Sequence, residues 1–277
     1  MPTITDTDTT QADFQEGSLI DVEADAGGYL RLVKLFPDTD LYLPEVSASG
    51  TVPTAAATFG PVDCTGLTKQ NAYLSIELKC SNWSDLSGIT QIEITSSGTW
   101  DVEEWGYNPT SLDITSSYKT FLLPLSDFGT AGGELVVSEI DYIRFYAYFN
   151  TTQTISWRNA KIIGRLGPGT RISPQLDLSA VGMVESSSVS WTQTLNGGTI
   201  TIETRVSTDD GTTWTPWSTC TNGGSIPNLT PSTQVVNALL ECRQNLSTAD
   251  PVYSPQLETL NITVEGIGMT LFQSFNF

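Results

Sequence analysis

Apolar and polar side chains alternate with a period of two residues along most of this chain, as in YLSIELKC, TITIETRVS and LETLNITVEG. Such alternation is typical of half-buried β-strands, and almost no stretch has the 3.6-residue period of an amphipathic helix. Clusters of Ser, Thr, Asn, Gly and Pro end these runs at short intervals, so the pattern predicts an all-β chain with few or no helices. The predicted inward positions are Leu74, Ile76, Leu78 and Cys80, then Ile200, Ile202 and Val206, and then Leu260, Ile262 and Val264.

Two further stretches bear on the organisation of the chain. IDYIRFYAYF, residues 140–149, is apolar on both faces, which predicts a central strand covered by protein on both sides. GRLGPGTRISP, residues 164–174, contains three Gly and two Pro and predicts a linker or crossover. The 277 residues therefore suit two β-sandwich domains, one on each side of this stretch.

Composition excludes several classes of function. The net charge of −19 and the absence of any Lys/Arg run exclude nucleic-acid binding and adsorption to an anionic membrane. No apolar run is long enough for membrane insertion. Without His, the chain lacks the residue that Ser-His-Asp hydrolysis and nearly all zinc catalysis require. We therefore expect no enzyme, no catalytic residues, no metal and no cofactor.

The four cysteines, Cys64, Cys80, Cys220 and Cys242, are too far apart in sequence for a zinc ribbon. They are predicted to be small buried thiols. Disulfides between neighbouring strands, Cys64 with Cys80 and Cys220 with Cys242, are the alternative in an oxidising environment.

The stretch STDDGTTWTPW has the spacing S-x-D-x-G-x-T-W, which resembles the Asp box of sialidases. The resemblance implies a structural hairpin turn built from Ser207, Asp209, Gly211, Thr213 and Trp214. Asp side chains cap turn amides, Gly adopts positive φ without strain, and a large ring packs under the bend. Sialidases carry several boxes and an arginine cluster, so the single box here is evidence against sialidase activity. Ca²⁺ at the two adjacent acids is an alternative that lacks the ligand series of an EF-hand.

The surroundings of this turn resemble a β-sandwich module of phage tail and fibre proteins over residues 171–265. The order SPQLDL, SVSWTQ, RVSTDDGTTW, LSTADP and SPQL carries the resemblance, which implies a fibronectin-III-like sandwich. In that module a segment like ADFQEGSLIDVEADAGGYLRLV comes just before S-P-x-L-D, but here it lies at residues 12–33. An inserted domain explains the separation, and two consecutive domains are the alternative.

The intervening region resembles a galactose-binding-like jelly roll of the kind found in carbohydrate-binding modules. VDCTGLTKQNAYLSIELKC, SSYKTFLLPLSDFG and EIDYIRFYAYF carry this resemblance over residues 62–164. The predicted organisation is an acidic flexible arm at 1–11, first strands at 12–34 that pair with the C-terminal sandwich, a jelly roll at 35–164, a fibronectin-III-like sandwich at 165–266 and an apolar tail at 267–277.

Sugar binding by a β-sandwich needs exposed aromatic rings beside amides or carboxylates. TWDVEEWGYNP lacks apolar alternation and contains Gly and Pro, so it predicts a long loop that carries such a site. The alternative is that one Trp plugs the end of the sandwich while the acids face water. Glu103 and Glu104 are poor glycosidase carboxylates because adjacent residues rarely flank one bond. The candidate glycan-binding residues are Trp100, Asp101, Glu103, Trp105, Tyr107 and Asn108.

Both ends of the chain are candidates for contacts between subunits. The first ten residues are a Thr/Asp tract that predicts either a solvated tail or an arm that orders on a neighbour. The tail IGMTLFQSFNF carries no charge and three Phe, so it is predicted to be either a last strand or plug on its own domain, or a segment that docks into another subunit of an assembly. The candidate assembly residues are Leu271, Phe272, Phe275 and Phe277.

These patterns together favour a structural component of a phage virion, made in the host cytoplasm because no signal peptide is visible. It would belong to the tail, baseplate or fibre apparatus and form a symmetric homo-oligomer with other virion proteins. Contact with a cell-surface polysaccharide would be a second role. The alternatives are a stand-alone extracellular carbohydrate-binding protein and a capsid decoration or head-fibre protein.

Overall fold

The computed structural model describes residues 2–99, 102–250 and 252–267, and strands dominate these residues. The all-β prediction is confirmed. Within the described part of the chain there is one short α-helix, α1, at Gln11–Gln15, with Thr10 as its N-cap. None of the described helices is long and apolar enough to cross a membrane. The 3₁₀ helices lie at Trp83–Asp85, Pro109–Ser111, Leu125–Asp127, Val137–Glu139 and Ser179–Val181.

The chain folds into two compact units. The continuous unit is Lys34–Arg165, and the discontinuous unit combines the residues up to Val33 with those from Leu166 onward. The discontinuous unit begins with strands β1 Thr3–Asp8, β2 Ser18–Ile20, β3 Val22–Asp25 and β4 Tyr29–Leu32. The continuous unit contains β5 Thr39–Tyr42, β6 Val46–Gly50, β7 Thr54–Val62, β8 Ala72–Cys80, β9 Leu86–Thr95, β10 Glu104–Tyr107, β11 Lys119–Pro124, β12 Gly129–Ala131, β13 Ile140–Phe149 and β14 Gln153–Gly164. The discontinuous unit resumes with β15 Gly169–Ile172, β16 Leu176–Asp177, β17 Val184–Thr194, β18 Thr199–Ser207, β19 Ser218–Thr219, β20 Leu239–Ser247 and β21 Gln256–Gly266.

Two antiparallel sheets form the discontinuous unit. In one sheet, β21 pairs with three strands, β1, β4 and β17, and β4 in turn pairs with β3. The other has the order β19-β18-β20-β15-β2, with β16 also paired to β20. Strands from the first 32 residues therefore complete both sheets of a unit whose other strands start at Gly169. Inward side chains such as Leu30, Ile202 and Leu257 form its core.

The prediction of a flexible arm at residues 1–11 is wrong for Thr3–Asp8, which pairs with β21 from Thr3 opposite Glu265 to Asp8 opposite Leu260. Two interactions stabilise this strand, which contains two acids, Asp6 and Asp8. Ile4 packs against the core of the unit, and the buried carboxylate of Asp8 is bound by Arg171 at 2.6 Å. An acidic composition therefore did not prevent strand formation here.

The boundary between the two units falls between Arg165 and Leu166, inside the stretch 164–174 where the sequence predicted a linker or crossover. From Gly169 to Ile172 the stretch is strand β15, in which Arg171 has none of its surface exposed. Its guanidinium donates to both carboxylate oxygens of Asp8 and to the carbonyls of Asp13, at 2.7 Å, and Glu16, at 3.1 Å. The guanidinium also lies 5.3 Å from the ring centroid of Phe14. A buried charge with this many partners joins β15 to β1 and α1.

The continuous unit is a second sandwich. One sheet has the order β12-β10-β9-β13-β7, and the other has the order β11-β8-β14-β5, with β6 also paired to β14. The alternation predicted for β8 is present, because Leu74, Ile76, Leu78 and Cys80 are at most 1% exposed. Trp157 of β14 lies at the centre of the core and donates from Nε1 to the carbonyl of Ala55 at 2.8 Å.

All four cysteines are free and buried, so the prediction of buried thiols is confirmed. Burial raises the pKa of the Cys64 thiol to about 11 and that of Cys242 to about 12. Both thiols therefore remain protonated at neutral pH, which makes them poor nucleophiles.

Candidate functional site

Strand β13 presents two different faces. The prediction that it is covered on both sides is wrong only at Tyr148, which is exposed, since Tyr142 is buried and Arg144 is 12% exposed. Ile143, Phe145 and Ala147 are fully buried in the core. The alternate positions Tyr142, Arg144, Tyr146 and Tyr148 lie on the outer side of the β12-β10-β9-β13-β7 sheet. Three aromatic rings and a guanidinium thus follow one another along a single strand.

The pairing register places complementary side chains beside this row. Arg144 lies opposite Glu93 of β9 on one side and Ala56 of β7 on the other. The Nε of Arg144 donates to the carboxylate of Glu93, and the side chains of Arg144 and Glu93 are 12% and 1% exposed. This ion pair is therefore largely shielded from bulk water and held in one arrangement.

The neighbouring pair extends the polar row toward one end of the sheet. Tyr146 lies opposite Gln91, and its hydroxyl donates to Gln91 Oε1 at 2.7 Å. The Gln91 amide lies above Gly106 of β10, where an added Cβ would be 2.7 Å from Nε2. Arg144 covers the Tyr146 ring, with its guanidinium carbon 4.8 Å from the ring centroid. The amide, the guanidinium and the phenol therefore form one connected group.

One end of the same face carries an exposed aromatic ring, that of Tyr148. Tyr148 is 42% exposed, and its ring centroid lies 6.4 Å from that of Tyr146 at an interplanar angle of 75°. Gly88 lies below Tyr148, since an added Cβ there would be 3.1 Å from Tyr148 Cβ, and Ile89 beside it is 67% exposed. At the other end, burial raises the pKa of the Tyr142 hydroxyl, so that group stays protonated at neutral pH.

The glycan-binding loop predicted at residues 100–108 has a different structure. Residues 104–107 form β10, which pairs with β9 and β12, so the prediction of a long loop is wrong there. Alternation within this short strand turns Trp105 into the core, where it is 4% exposed and donates from Nε1 to Glu134 at 2.9 Å. Trp105 is therefore not an exposed stacking ring, and its hydrogen bond lowers the pKa of Glu134.

The other residues predicted for the loop make separate structural contacts and do not form one site. Tyr107 packs on Phe128, with ring centroids 5.3 Å apart. Glu103 accepts a hydrogen bond from Ser96 at 3.2 Å. Asn108 caps a 3₁₀ helix by accepting from the Thr110 amide at 3.0 Å. Trp100 and Asp101 lie outside the described residues, as do the predicted assembly residues Leu271, Phe272, Phe275 and Phe277.

The stretch STDDGTTWTPW forms a closed turn held by its own side chains. Asp209 accepts from the backbone amide and the hydroxyl of Thr213, each at 2.7 Å, and these bonds lower the pKa of its carboxyl. Ser207 accepts from the amide of Gly211, which has φ +83°. Trp214 donates from Nε1 to the carbonyl of Gly211 at 3.1 Å. Both Asp209 oxygens are thus engaged by protein donors, and the described residues contain no cluster of three metal-ligating side chains.

Next to this turn, two arginines alternate with two tryptophans on the face of the β18-β20 pair. The guanidinium carbon of Arg205 lies 4.7 Å from Trp214 and 4.6 Å from Trp217, and that of Arg243 lies 4.5 Å from Trp217. Ion pairs at 2.6 and 2.7 Å join Arg205 to Glu241 and Arg243 to Glu203. These contacts hold the Trp-rich segment against the sheet.

The residues of the candidate site were missed because they lie on two strands that are far apart in sequence. QIEI in β9 and IRFY in β13 each show plain alternation, and only the register places Gln91 opposite Tyr146 and Glu93 opposite Arg144. The one local signal was a lone Arg among alternating aromatic residues. Such a residue is rarely buried without a partner, so its presence indicates either a partly exposed face or an ion pair, and Arg144 forms an ion pair with Glu93.

No protein-family model matches the sequence, and no curated protein matches it. Among solved structures, the chain is similar to the family 11 carbohydrate-binding module of a cellulosomal cellulase of Clostridium thermocellum, at 19% identity and a TM-score of 0.31, over 60% of this chain and 90% of that one. The family 30 module of another Clostridium thermocellum cellulase is similar at 10% identity and a TM-score of 0.31, over 58% of this chain and 97% of that one. A β-1,2-glucanase of Parabacteroides distasonis is similar at 10% identity and a TM-score of 0.32, over 91% of this chain and 37% of that one. TM-scores this low carry no inference about ligand or activity, so the candidate face is interpreted from its own residues.

Proposed function

We propose that this protein binds a neutral polysaccharide on the outer side of the β12-β10-β9-β13-β7 sheet. The observation that carries the proposal is the exposed ring of Tyr148 beside Tyr146, next to the connected side chains of Gln91, Arg144 and Glu93. Aromatic rings stack on the apolar faces of sugar rings, while planar amide and guanidinium groups bond to their hydroxyls.

Preorganisation supports this assignment. Arg144 is held by Glu93 and by the ring of Tyr146, and Gln91 is held by the Tyr146 hydroxyl. A ligand would therefore meet polar groups whose rotamers are already fixed, which lowers the entropy cost of binding. The outward residues of one strand recur about every 6.8 Å, so Tyr146 and Tyr148 would contact successive parts of an extended chain.

The charge of the protein selects against acidic polymers. A net charge of −19 repels anionic polysaccharides at long range, whereas a neutral polysaccharide carries no charge and is not repelled. Binding without hydrolysis is favoured because Glu93 and Glu104, the two carboxylates on this face, are each 1% exposed. Such carboxylates are too deeply buried to flank a glycosidic bond.

The test is binding of the full chain to a panel of neutral and acidic polysaccharides by affinity electrophoresis and titration calorimetry. Replacement Tyr148→Ala should weaken binding of the best neutral polymer about tenfold, because the loss of one stacking ring costs about 1.4 kcal/mol. Tyr253→Ala is the matched control, because Tyr253 is 62% exposed but lies in the discontinuous unit. The proposal would be contradicted if neither the unmodified chain nor the Tyr253→Ala control bound any of the polysaccharides. It would also be contradicted if Tyr148→Ala bound the best neutral polymer as tightly as the unmodified chain does.

The predicted virion role in a tail, baseplate or fibre stays a prediction, as do its location in the particle and its virion partners. Its support is the resemblance of residues 171–265 to phage modules and the acidic, hydroxyl-rich composition. Glycan binding suits both this role and the stand-alone alternative. Co-sedimentation of the protein with purified particles, in fixed stoichiometry, would favour the virion role, and its absence from particles would favour the alternative.

A further inference from the structure

The sequence contains the tripeptide Asn-Gly-Gly at two places, both in the discontinuous unit. One copy begins at Asn196 in LNGGT, and the other begins at Asn222 in TNGGS. Both asparagines are exposed. A glycine that follows asparagine has no side chain to shield its backbone amide, so this amide can approach the asparagine side chain closely. Because the local sequences are so similar, a difference in reactivity between the two sites must come from the fold.

Asn196 lies at the tip of a tight turn between β17 and β18. The amide of Gly198 donates to the carbonyl of Leu195 at 2.7 Å, and Asn196 and Gly197 have φ of +48° and +80°, which is the type I′ pattern. Within the described part of the chain, no hydrogen bond engages the Gly197 amide or Asn196 Oδ1. The Asn196 side chain makes one hydrogen bond there, from Nδ2 to the carbonyl of Ser254 at 2.9 Å.

Asn222 is held by three hydrogen bonds at the groups that would react. Its Oδ1 accepts from the amide of Trp191 at 2.9 Å, and its Nδ2 donates to the carbonyl of Trp191 at 2.8 Å. The amide of Gly223 donates to the carbonyl of Val189 at 2.9 Å. Strand β17 thus engages both the side chain and the attacking amide, so a reaction here requires this segment to separate from the strand first.

We propose that Asn196 is a site of spontaneous deamidation and that the fold protects Asn222 from the same reaction. Hydroxide removes the proton of the Gly197 amide, and the amide nitrogen then attacks Cγ of Asn196. The bond between Cγ and Nδ2 breaks, Nδ2 takes a proton from water and leaves as ammonia, and a succinimide ring remains. Water opens this ring at either of its carbonyls, which gives an aspartyl or an isoaspartyl residue.

Deamidation would weaken the contact between this turn and the loop that joins β20 to β21. A carboxylate in place of the amide cannot donate to the Ser254 carbonyl, and it adds a negative charge to a chain whose net charge is already −19. Ser254 also accepts at Oγ from the amide of Leu32 at 2.8 Å. The modification therefore acts on a point where the turn, this loop and the end of β4 meet.

The test is peptide mapping of the full chain after incubation in mildly alkaline buffer. Trypsin cleaves after Arg171, Arg205 and Arg243, so the two asparagines fall in separate peptides, and fragmentation in the mass spectrometer locates each conversion of an amide to a carboxyl. We expect conversion at Asn196 to be at least about tenfold faster than at Asn222, because the segment of Asn222 must first lose three hydrogen bonds.

Incubation of the same chain in concentrated urea is the control. Both tripeptides are then unfolded, and the two rates should agree within about twofold. Equal rates in the folded protein, or a faster rate at Asn222, would overturn the proposal. It would also be overturned if Asn196 stayed intact in the folded protein while the unfolded chain reacted, or if the tenfold difference persisted in urea. All these outcomes are independent of the proposed glycan face, which lies in the continuous unit.

Discussion

At Arg171, one buried guanidinium contacts parts of the chain that are far apart in sequence. It bonds to Asp8 and to the backbone around α1, and it also donates to Ser173 and Gln244 from the sandwich core. Removing one partner of such a pair leaves a buried charge without compensation, which usually costs more than the pair itself contributes. The attachment of the first 16 residues therefore depends strongly on this side chain.

Replacement Arg171→Met should lower the free energy of unfolding by about 3–5 kcal/mol, because the Asp8 carboxylate would be left buried and unpaired. Urea denaturation followed by circular dichroism measures the loss. Arg31→Met is the control, because the ion pairs of Arg31 with Glu23 and Asp25 involve a side chain that is 41% exposed. Its loss should not exceed about 1 kcal/mol, and equal losses for the two variants would contradict this account.

Asp209 gives the turn of STDDGTTWTPW a dependence on pH. Hydrogen bonds from Thr213 and Ser207 lower the pKa of its carboxyl below the usual 3.8, so the folded state prefers the ionised form. The resulting stabilisation is fully present above pH 3.8 and is lost as the pH falls through the lowered pKa of the folded state. Protonation would remove the charge that these donors stabilise.

We expect Asp209→Asn to destabilise the protein near neutral pH. We expect this effect to shrink in strong acid, once the pH has fallen through the lowered pKa of the Asp209 carboxyl and the unmodified side chain is itself neutral. Asp210→Asn is the matched control, since that residue has φ +57°, which Asn tolerates. Urea midpoints at both pH values provide the measurement. An Asp209→Asn effect that is constant with pH would show that the charge is irrelevant to the turn.

The stack of Trp214, Arg205, Trp217 and Arg243 joins a loop to two neighbouring strands. Strands β18 and β20 supply the arginines together with the acids that pair with them, and the segment after the turn supplies the rings. Each guanidinium thus has a carboxylate and an aromatic face as partners. We expect the stack to compensate for the scarcity of regular backbone pairing in this segment, where β19 is only two residues long.

A double-mutant cycle of Trp217→Ala and Arg205→Met should give a coupling energy of about 0.5–1 kcal/mol, because the ring and the guanidinium are partly shielded from water. Thermal and urea unfolding of the four proteins measure it. A parallel cycle of Trp217→Ala with Arg31→Met should be additive, as Arg31 lies in the other sheet of the unit. Coupling of equal size in both cycles would mean that the contact contributes nothing specific.

Strands were predicted both where one face is uniformly apolar and where both faces are, as in β13, but the cover on the outer face of β13 was overestimated at Tyr148. Leu74, Ile76 and Leu78 are fully buried, as their alternation indicated. β10 was missed because it has only four residues, contains Gly106 and is followed closely by Pro109, so its alternation is too short to predict a strand. The outer face of β13 was interpreted as covered because its Tyr residues make the sequence apolar on both faces.

The candidate site depended on information that no local pattern contains. Gln91 and Glu93 are ordinary outward positions of β9 until the register places them opposite Tyr146 and Arg144. Register is fixed by long-range pairing and by the core on the opposite face, so it cannot be read from either strand alone. Trp105 was predicted from the sequence to be an exposed ring that stacks on a sugar. It lies instead at an inward position of β10, because successive side chains of a strand point to opposite faces of the sheet.

The whole chain carries a large uncompensated negative charge. Its 31 acids and 12 bases give −19, and the ion pairs found in the structure engage only part of the acids. Self-repulsion of this kind destabilises a compact state and is screened by salt, with a Debye length of about 10 Å at 0.1 M.

Added NaCl should therefore raise the melting temperature of the protein between about 0.02 and 0.5 M, because screening relieves more repulsion than it weakens attraction. Differential scanning calorimetry at fixed pH measures the shift. The affinity for a neutral polysaccharide should change less than about twofold over the same range, since the ligand has no charge to screen. A melting temperature that falls with salt would indicate that screening weakens the attraction within ion pairs more than it relieves the repulsion among the acids.

Pairing of β1 with β21 has a consequence for the synthesis of the chain on the ribosome. The partner of β1 emerges only after more than 240 further residues, whereas every strand of Lys34–Arg165 is available much earlier. At about 5–20 residues per second, the nascent chain would hold β1 unpaired for roughly 10–50 s while the continuous unit folds. A strand that waits this long unpaired is an aggregation hazard, and charged side chains are a common protection. We expect the acids of TITDTD to keep this early strand in solution until its partner is made.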